Sequence, residues 1–443
     1  MKRGFYTIMA AQFSSSLADN ALLIASIGLL IQLDGPVWMT PLLKFFFTVS
    51  YVVLAPFVGP FADAFPKGKV MLITNTIKVV GCVMMLFYEY ASALGVAPDI
   101  AVMLAYGIVG LGAAAYSPAK YGILTELLPP EKLVVANGWI EGLTVVSIIV
   151  GTVVGGLLLS PAMSRMLLGF DFPLIDTPVN SPAEAAISVI VFFYAIAAMF
   201  NLFIPDTGAR YQKQASHPIH LLNQFANAFT VLWSDKLGQI SLAVTTLFWG
   251  AGATLQFIVL RWAEKHLGLP LEKATLLQGV FAFGIAIGAI AAARLIPLKK
   301  SLRVLPFGVA MGLIVLCMNL VHDMPLVYAL IITIGAMAGF FVIPMNALLQ
   351  HRGHVLLSAG HSIAVQNFNE NLCILFMLAL YAGMLSLRLR TGTIVVMFGL
   401  FVALAMLCVI FWHKANQRKF GDAERIIGIE KGESQAHFVE SPH

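Results

Sequence analysis

Asp19, Lys44, Lys78, Glu141, Arg261, Glu264, His361 and Glu370 all stand inside long apolar runs of the chain. An aspartate at the centre of a membrane helix costs about 2.5–3.5 kcal/mol on insertion scales. A chain that keeps such groups aims them at a partner or a wet cavity, not at lipid. The sharpest case is Asp19-Asn20, an acid and an amide in the middle of QFSSSLADNALLIASIGLL. On a helix, Gln12, Ser15, Ser16, Asp19 and Ser26 fall near one face. That stripe either lines a pathway or forms a polar contact between helices. A second stripe, Ser362, Gln366, Asn369, Glu370 and Cys373, follows helical spacing late in the chain. Polar groups spread over both depths of a bilayer suit a pathway better than one buried cluster. Each charge taken singly also fits a satisfied salt bridge, and Lys44, close to the end of its run, fits snorkelling.

The elements that must position these groups are membrane helices. The chain has 443 residues, 59% of them hydrophobic and 11% charged, with a mean hydropathy of +0.87. So much apolar surface in a chain of this length calls for a bilayer as solvent. Runs long enough to span lie near 7–33, 38–60, 69–88, 100–120, 134–158 and 183–204, then near 239–264, 271–295, 303–321, 325–349, 358–385 and 392–412. The fold class expected is an all-α polytopic membrane protein, with twelve transmembrane helices in two pseudo-symmetric six-helix bundles. The divisions expected are a first bundle at 1–204, a linker at 205–238, a second bundle at 239–413 and a tail at 414–443. Lys2-Arg3, a short apolar run and Ser16-Leu17-Ala18 imitate a cleavable signal peptide, but the apolar segment continues from Ala21 to Ile31 and is read as an uncleaved first helix.

Charge sets the orientation. Of the 27 Lys and Arg residues, 19 fall at the two ends and in the even-numbered loops. The opposite loops hold only Arg165, Lys265, Lys273, Arg388 and Arg390. The positive-inside rule therefore places both termini in the cytoplasm. The linker carries Arg210, Lys213, His217 and His220, and then sets Leu221, Leu222, Phe225, Phe229, Leu232 and Trp233 on one helical face. This reads as an amphipathic cytoplasmic helix, lying in the interface or packed under the bundle. Cys82, Cys317, Cys373 and Cys408 sit singly and show neither metal spacing nor a disulfide framework.

The two halves repeat each other. Tyr116-Ser117-Pro118 is matched by Val342-Ile343-Pro344 at an offset of 226 residues. Asn137-Gly138-Trp139-Ile140-Glu141-Gly142-Leu143 is matched by Gln366-Asn367-Phe368-Asn369-Glu370-Asn371-Leu372 at an offset of 229. Duplication of a six-helix unit is the arrangement expected of transporters with substrate sites between halves. Gly151, Gly155 and Gly156 have the spacing for close helix packing or a gating role.

Between spans two and three, Gly59-Pro60-Phe61-Ala62-Asp63-Ala64-Phe65-Pro66-Lys67-Gly68-Lys69 resembles the signature loop of the major facilitator superfamily. It has one extra residue and no arginine directly after the acid. As a latch, Gly59 would let helices approach, and Asp63 would face a helix N-terminus or a basic partner in the closed state. Lys67, Lys69 and Lys78 are grouped with Gly59 and Asp63 as gating residues.

The run Gly110–Leu124, GLGAAAYSPAKYGIL, together with AQFSSSLADNALL, resembles the bacterial lysophospholipid transporter family of that superfamily. Lys132-Leu133-Val134 and Ala136-Asn137-Gly138 are similar to the family as well. Leu17-Ala18 stands where many members carry an aromatic residue and a glycine. The resemblance implies a major facilitator fold and a carrier that moves lysophospholipid, chiefly lysophosphatidylethanolamine, from the outer to the inner leaflet of the bacterial inner membrane. An acyltransferase–acyl carrier protein synthetase would then re-acylate it. A zwitterionic headgroup needs a carboxylate for its ammonium and a cation for its phosphate. Asp19, Glu141 or Glu370 could meet the first need, and Arg261, Lys120 or Lys78 the second. Asn20, Glu264 and Asn369 complete the candidate substrate residues.

A proton-coupled exporter of amphiphilic drugs is the alternative, with the same acids titrating. Catalysis is not expected. The sequence offers no nucleophile–base arrangement, metal-ligand cluster or phosphate-cradling glycine loop, and the His351-Arg352-Gly353-His354 pair lacks a third ligand. No cofactor, metal or nucleic-acid partner is expected; membrane lipids are.

Overall fold

The protein is described by a computed structural model covering residues 3–34, 39–169, 179–209, 217–269 and 271–420. Lys2, Arg210, Lys213 and the tail beyond Phe420 lie outside the described residues, as do the side chains of Lys44, Glu141 and Lys273. Among the described residues every regular element is a helix: α1(Arg3–Gln32), α2(Met39–Val53), α3(Ala55–Ala64), α4(Lys67–Leu86), α5(Tyr88–Ala93), α6(Pro98–Leu127), α7(Pro130–Leu158), α8(Pro161–Leu168), α9(Pro182–Leu202), α10(Pro218–Ser234), α11(Gly238–Leu267), α12(Leu271–Leu295), α13(Leu305–Leu316), α14(Met324–Leu356), α15(Ala359–Ser386) and α16(Thr391–Phe420). Short 3-10 turns, Leu298–Val304 and Cys317–Leu320, flank α13. Eleven helices are long and apolar enough to cross a membrane, and twelve if α2 and α3 form one span. The chain is thus a multi-pass membrane protein.

The second span is bent rather than straight, with a 75° break between α2 and α3. Pro56 explains the position of the break. It has no N–H to give to Val52, and its ring would crowd that carbonyl. Proline at the first turn of α3 is harmless, since amides there have no intrahelical acceptor. Elsewhere the ends carry ordinary signals. Ser181 and Glu184 form a capping box, with Glu184 Oε2 accepting from the amides of Asn180 (2.6 Å) and Ser181 (2.8 Å). Gly268 closes α11 at a φ of 65°. The amphipathic helix expected in the linker is α10.

The helices pack as two compact units. One comprises 1–127, 143–228 and 357–371; the other comprises 128–142, 229–356 and 372–443. In the first, α1 packs on α9, α4 on both α6 and α9, and α2 and α3 on α6. In the second, α11 packs on α16, α13 on both α14 and α16, and α12 on α14. The partners correspond helix for helix between the two sequence halves, so the repeat read in the sequence is a repeat of packing. Segments 128–142 and 357–371 are each grouped with the unit built mainly from the other half. They begin and end 229 residues apart, the offset of the runs around Glu141 and Glu370.

Each unit has its own apolar core, around Leu22, Leu29, Met85 and Ile190 in the first and around Ile258, Trp262, Ile331 and Val395 in the second. In lipid, apolar side chains gain little by leaving the solvent, so close backbone approach must hold helices together. The α12–α14 seam shows this. A Cβ on Gly288 would collide with the Ala336 carbonyl, and one on Gly339 with that of Ile285. Gly151 and Gly155 likewise admit the carbonyls of Leu17 and Ala21 on α1, whereas Gly156 meets nothing within 4 Å.

Candidate functional site

The first unit holds an ion pair between α1 and α4 that is largely buried. Lys78, near the middle of α4, donates from Nζ to Asp19 Oδ1 (2.8 Å), Asp19 Oδ2 (2.9 Å) and Ser15 Oγ (3.0 Å). The Tyr194 hydroxyl of α9 donates to Asp19 Oδ1 at 2.6 Å, and Ser15 Oγ donates to Asn75 Oδ1 at 2.8 Å. Faces of Tyr116 and Tyr194 stand 5.0 and 5.5 Å from the ammonium. All three ammonium protons therefore have acceptors, and two aromatic faces complete the shell. Gly112 makes the site fit: a Cβ there would sit 2.9 Å from Lys78 Cγ and 2.8 Å from the Thr74 carbonyl. The Lys78 side chain is 1% exposed, while Asp19 keeps 21% of its side chain open.

This places Lys78 differently from its sequence grouping. It pairs with Asp19 in the middle of the helices and not with Asp63, because its side chain is long enough to cross from α4 to α1. The polar stripe of α1 also divides. Ser15, Asp19 and Ser26 turn to α4, Ser26 reaching Met85 Sδ at 3.5 Å. Gln12 instead donates to Thr144 Oγ1 of α7 at 3.5 Å. Asn20 donates back to the Ser16 carbonyl at 2.8 Å and packs where a Gly151 side chain would be. Sequence reasoning missed Tyr194, whose only signal was a hydroxyl inside the apolar run VIVFFYAIAAMF.

A second cluster gathers at Asp63, whose side chain is fully buried. Its Oδ1 accepts from Lys67 Nζ at 2.6 Å and from the Gly360 amide at 3.0 Å. Its Oδ2 accepts from Ser358 Oγ and lies 3.0 Å from His361 Nδ1. Asp63 thus meets a helix N-terminus and a basic partner together, capping α15 from α3. The basic partner is Lys67, one turn on from the acid, and it also donates to the Ala62 carbonyl (2.8 Å) and approaches Glu126 Oε1 (3.5 Å). Thr207 donates to Glu126 Oε2 at 2.6 Å, which extends the cluster. Gly59 and Gly360 are the contact point: a Cβ on Gly360 would fall 2.5 Å from the Gly59 carbonyl oxygen and 2.6 Å from Asp63 Oδ1. Lys69 is exposed and makes none of these contacts. Ser358 and His361 complete the cluster, although the sequence separates them from Asp63 by nearly 300 residues.

The remaining candidates disperse. Lys120 is buried, with its ammonium 4.1 Å from the centre of the Tyr121 ring. Glu141 lies in α7. Asn369 donates to the Val365 carbonyl (2.8 Å), and Glu370 accepts from Gln366 Nε2 (2.8 Å); both are buried. Asn367 reaches Ser117 Oγ on α6 at 2.9 Å. In the second unit, Glu264 is exposed and pairs with Lys265 (3.1 Å), while Arg261 lines a cleft at the end of α11. Asn137 and Gln350 exchange two hydrogen bonds of 2.8 and 2.9 Å, fully buried. Arg352 grips Asp235 through Nε (3.0 Å) and a terminal nitrogen (2.6 Å), and Asp235 caps the Gly238 amide at 2.7 Å. No group of three or more metal-ligating side chains occurs among the described residues.

Comparison with known proteins matches residues 8–376 to the Major Facilitator Superfamily. Lysophospholipid transporters LplT of Yersinia pestis (strain Pestoides F) and Yersinia pseudotuberculosis serotype O:3 (strain YPIII) are each 42% identical to the chain over 400 residues, covering 90% of it and 90% of each relative. A bacterial homologue of the iron transporter ferroportin, in an outward-facing state, superposes with a TM-score of 0.69 at 16% identity, over 93% of this chain and 100% of that one. FucP in the outward conformation gives 0.67 at 14%, over 92% and 98%. At such identities the solved structures speak for the fold alone.

Proposed function

The chain belongs to the Major Facilitator Superfamily as an LplT-type member, and from that membership we propose that it carries lysophospholipid across a bacterial inner membrane. The observation that carries this reading is the full-length likeness to the Yersinia lysophospholipid transporters. The substrate class is lysophosphatidylethanolamine and related lysolipids, taken from the outer leaflet and delivered to the inner one by alternating access. Delivery there supplies an acyltransferase–acyl carrier protein synthetase with its acceptor. Both termini lie in the cytoplasm, in keeping with the bias of Lys and Arg.

The Asp19–Lys78 pair suits this substrate. A zwitterionic headgroup offers an ammonium and a phosphate; Asp19 and Lys78 offer the complementary charges 2.8 Å apart. Headgroup entry then exchanges one neutral ion pair for two, so no net charge has to cross the apolar layer. The open part of Asp19 is where the headgroup ammonium meets the pair. Asp63, Lys67 and Gly360 form the cytoplasmic latch, and breaking the Asp63 bonds to the start of α15 frees that end to open.

Leaflet-resolved uptake of labelled lysophosphatidylethanolamine in spheroplasts, with and without an ionophore, tests this. Wild-type protein should internalise the label, and Asp19→Ala should abolish uptake at normal expression. Normal uptake by Asp19→Ala would remove Asp19 from the substrate path. Transport of amphiphilic drugs, with lysolipid left in place, would instead establish the proton-coupled exporter.

A further inference from the structure

A cleft of about 300 Å³ opens within the second unit where α11 ends and α16 begins. Its walls include Arg261, Lys265, His266, Arg390, Thr391 and Gly392. Three permanent cations converge there. Glu264 pairs with Lys265 at 3.1 Å with both side chains more than half exposed, so it offsets part of a single charge. Thr391 and Gly392 open α16, whose first amides have no acceptor inside the helix and whose dipole is positive at this end.

One further observation points to an anionic occupant. Arg261 Nε is buried and has no hydrogen-bond partner, and Arg261 lines the cleft. A buried guanidinium nitrogen without an acceptor is costly unless a ligand supplies one. The walls are also braced. The Asn319 amide donates to the Gly392 carbonyl at 3.0 Å, holding the start of α16. The ring of His266 lies between those of Trp262 (5.7 Å, 20°) and His322 (4.3 Å).

We propose that this cleft is a phosphate-binding site that captures the phosphodiester of an incoming lysolipid headgroup, with Arg261 and Arg390 as its principal ligands. The assignment rests on the transport reading. In the proposed orientation this end of α11 faces the periplasm, where outer-leaflet lipid arrives. The same chemistry would hold free phosphate, so the two sources must be separated.

Trp262, stacked on His266, supplies a fluorescence readout. Purified full-length protein in a phosphate-free detergent is titrated with lysophosphatidylethanolamine, with inorganic phosphate, and with monoolein as the phosphate-free lipid. A saturable change with lysophosphatidylethanolamine but not monoolein, weakened at least tenfold by Arg261→Gln and by Arg390→Gln, is the expected result. Arg390 is exposed, so its variant should fold even if the Arg261 variant does not. A saturable response to inorganic phosphate with none to the lysolipid would overturn the headgroup assignment. No phosphate-dependent change, or one that both variants leave intact, would overturn the site. Uptake by the same proteins keeps the two readings apart. Absent wild-type uptake defeats the transport reading, whereas normal wild-type uptake with an unchanged KM in both variants defeats this inference alone.

Discussion

At the scale of single residues, the expense of Asp19 is met inside its own unit. Lys78 neutralises it and Tyr194 adds a short hydrogen bond. Removing one member of a buried pair strands the other, at a cost of about 3–5 kcal/mol. Asp19 is partly open, so the low end of that range applies. Lys78→Met should therefore lower the melting temperature clearly, and Asp19→Asn combined with Lys78→Met should restore most of it without restoring uptake. Thermal melts of the three variants beside uptake measurements separate stability from transport. A double variant no more stable than Lys78→Met would show that the pair is not what holds α1 to α4.

At the scale of elements, α15 is attached through its first turn. Asp63 caps it from α3, and Gly59 lets the two backbones meet. Asp63→Asn keeps the shape but loses the charge that Lys67 and the helix dipole both favour. A loss of about 1–2 kcal/mol is expected, with an uptake defect larger than the stability loss explains. Gly360→Val acts by bulk, since its side chain would enter the space of Asp63 and the Gly59 carbonyl. It should expose Ser358, replaced by cysteine, to a thiol reagent from the cytoplasmic side. Unchanged labelling in Gly360→Val would argue against the latch.

At the scale of the whole molecule, duplication organises the chain, and the two copies use different chemistry at equivalent places. Segment 357–371 is fixed in the first unit by the carboxylate cluster at Asp63. Segment 128–142 is fixed in the second by the Asn137–Gln350 amide pair. Asn137→Ala or Gln350→Ala leaves a buried amide without its partner and should cost about 1–3 kcal/mol. The double alanine variant should cost less than the sum of the two, as a double-mutant cycle would read. Proposed orientation is checked separately: a tag after His443 should be reachable only in opened cells.

The sequence by itself determined the membrane class, the helical fold and the twofold repeat, because hydropathy and span length are local quantities that the bilayer reads directly. It also singled out Asp19, Asp63 and Lys67, since charge in an apolar run and glycine beside proline are visible without coordinates. Partners were another matter. Lys78 meets Asp19 and not Asp63, and Tyr194, Ser358 and His361 join these clusters from distant helices. Only the tertiary structure could decide this. A long or aromatic side chain reaches across a helix seam, and which seam it crosses depends on backbones brought together by glycines such as Gly112 and Gly59.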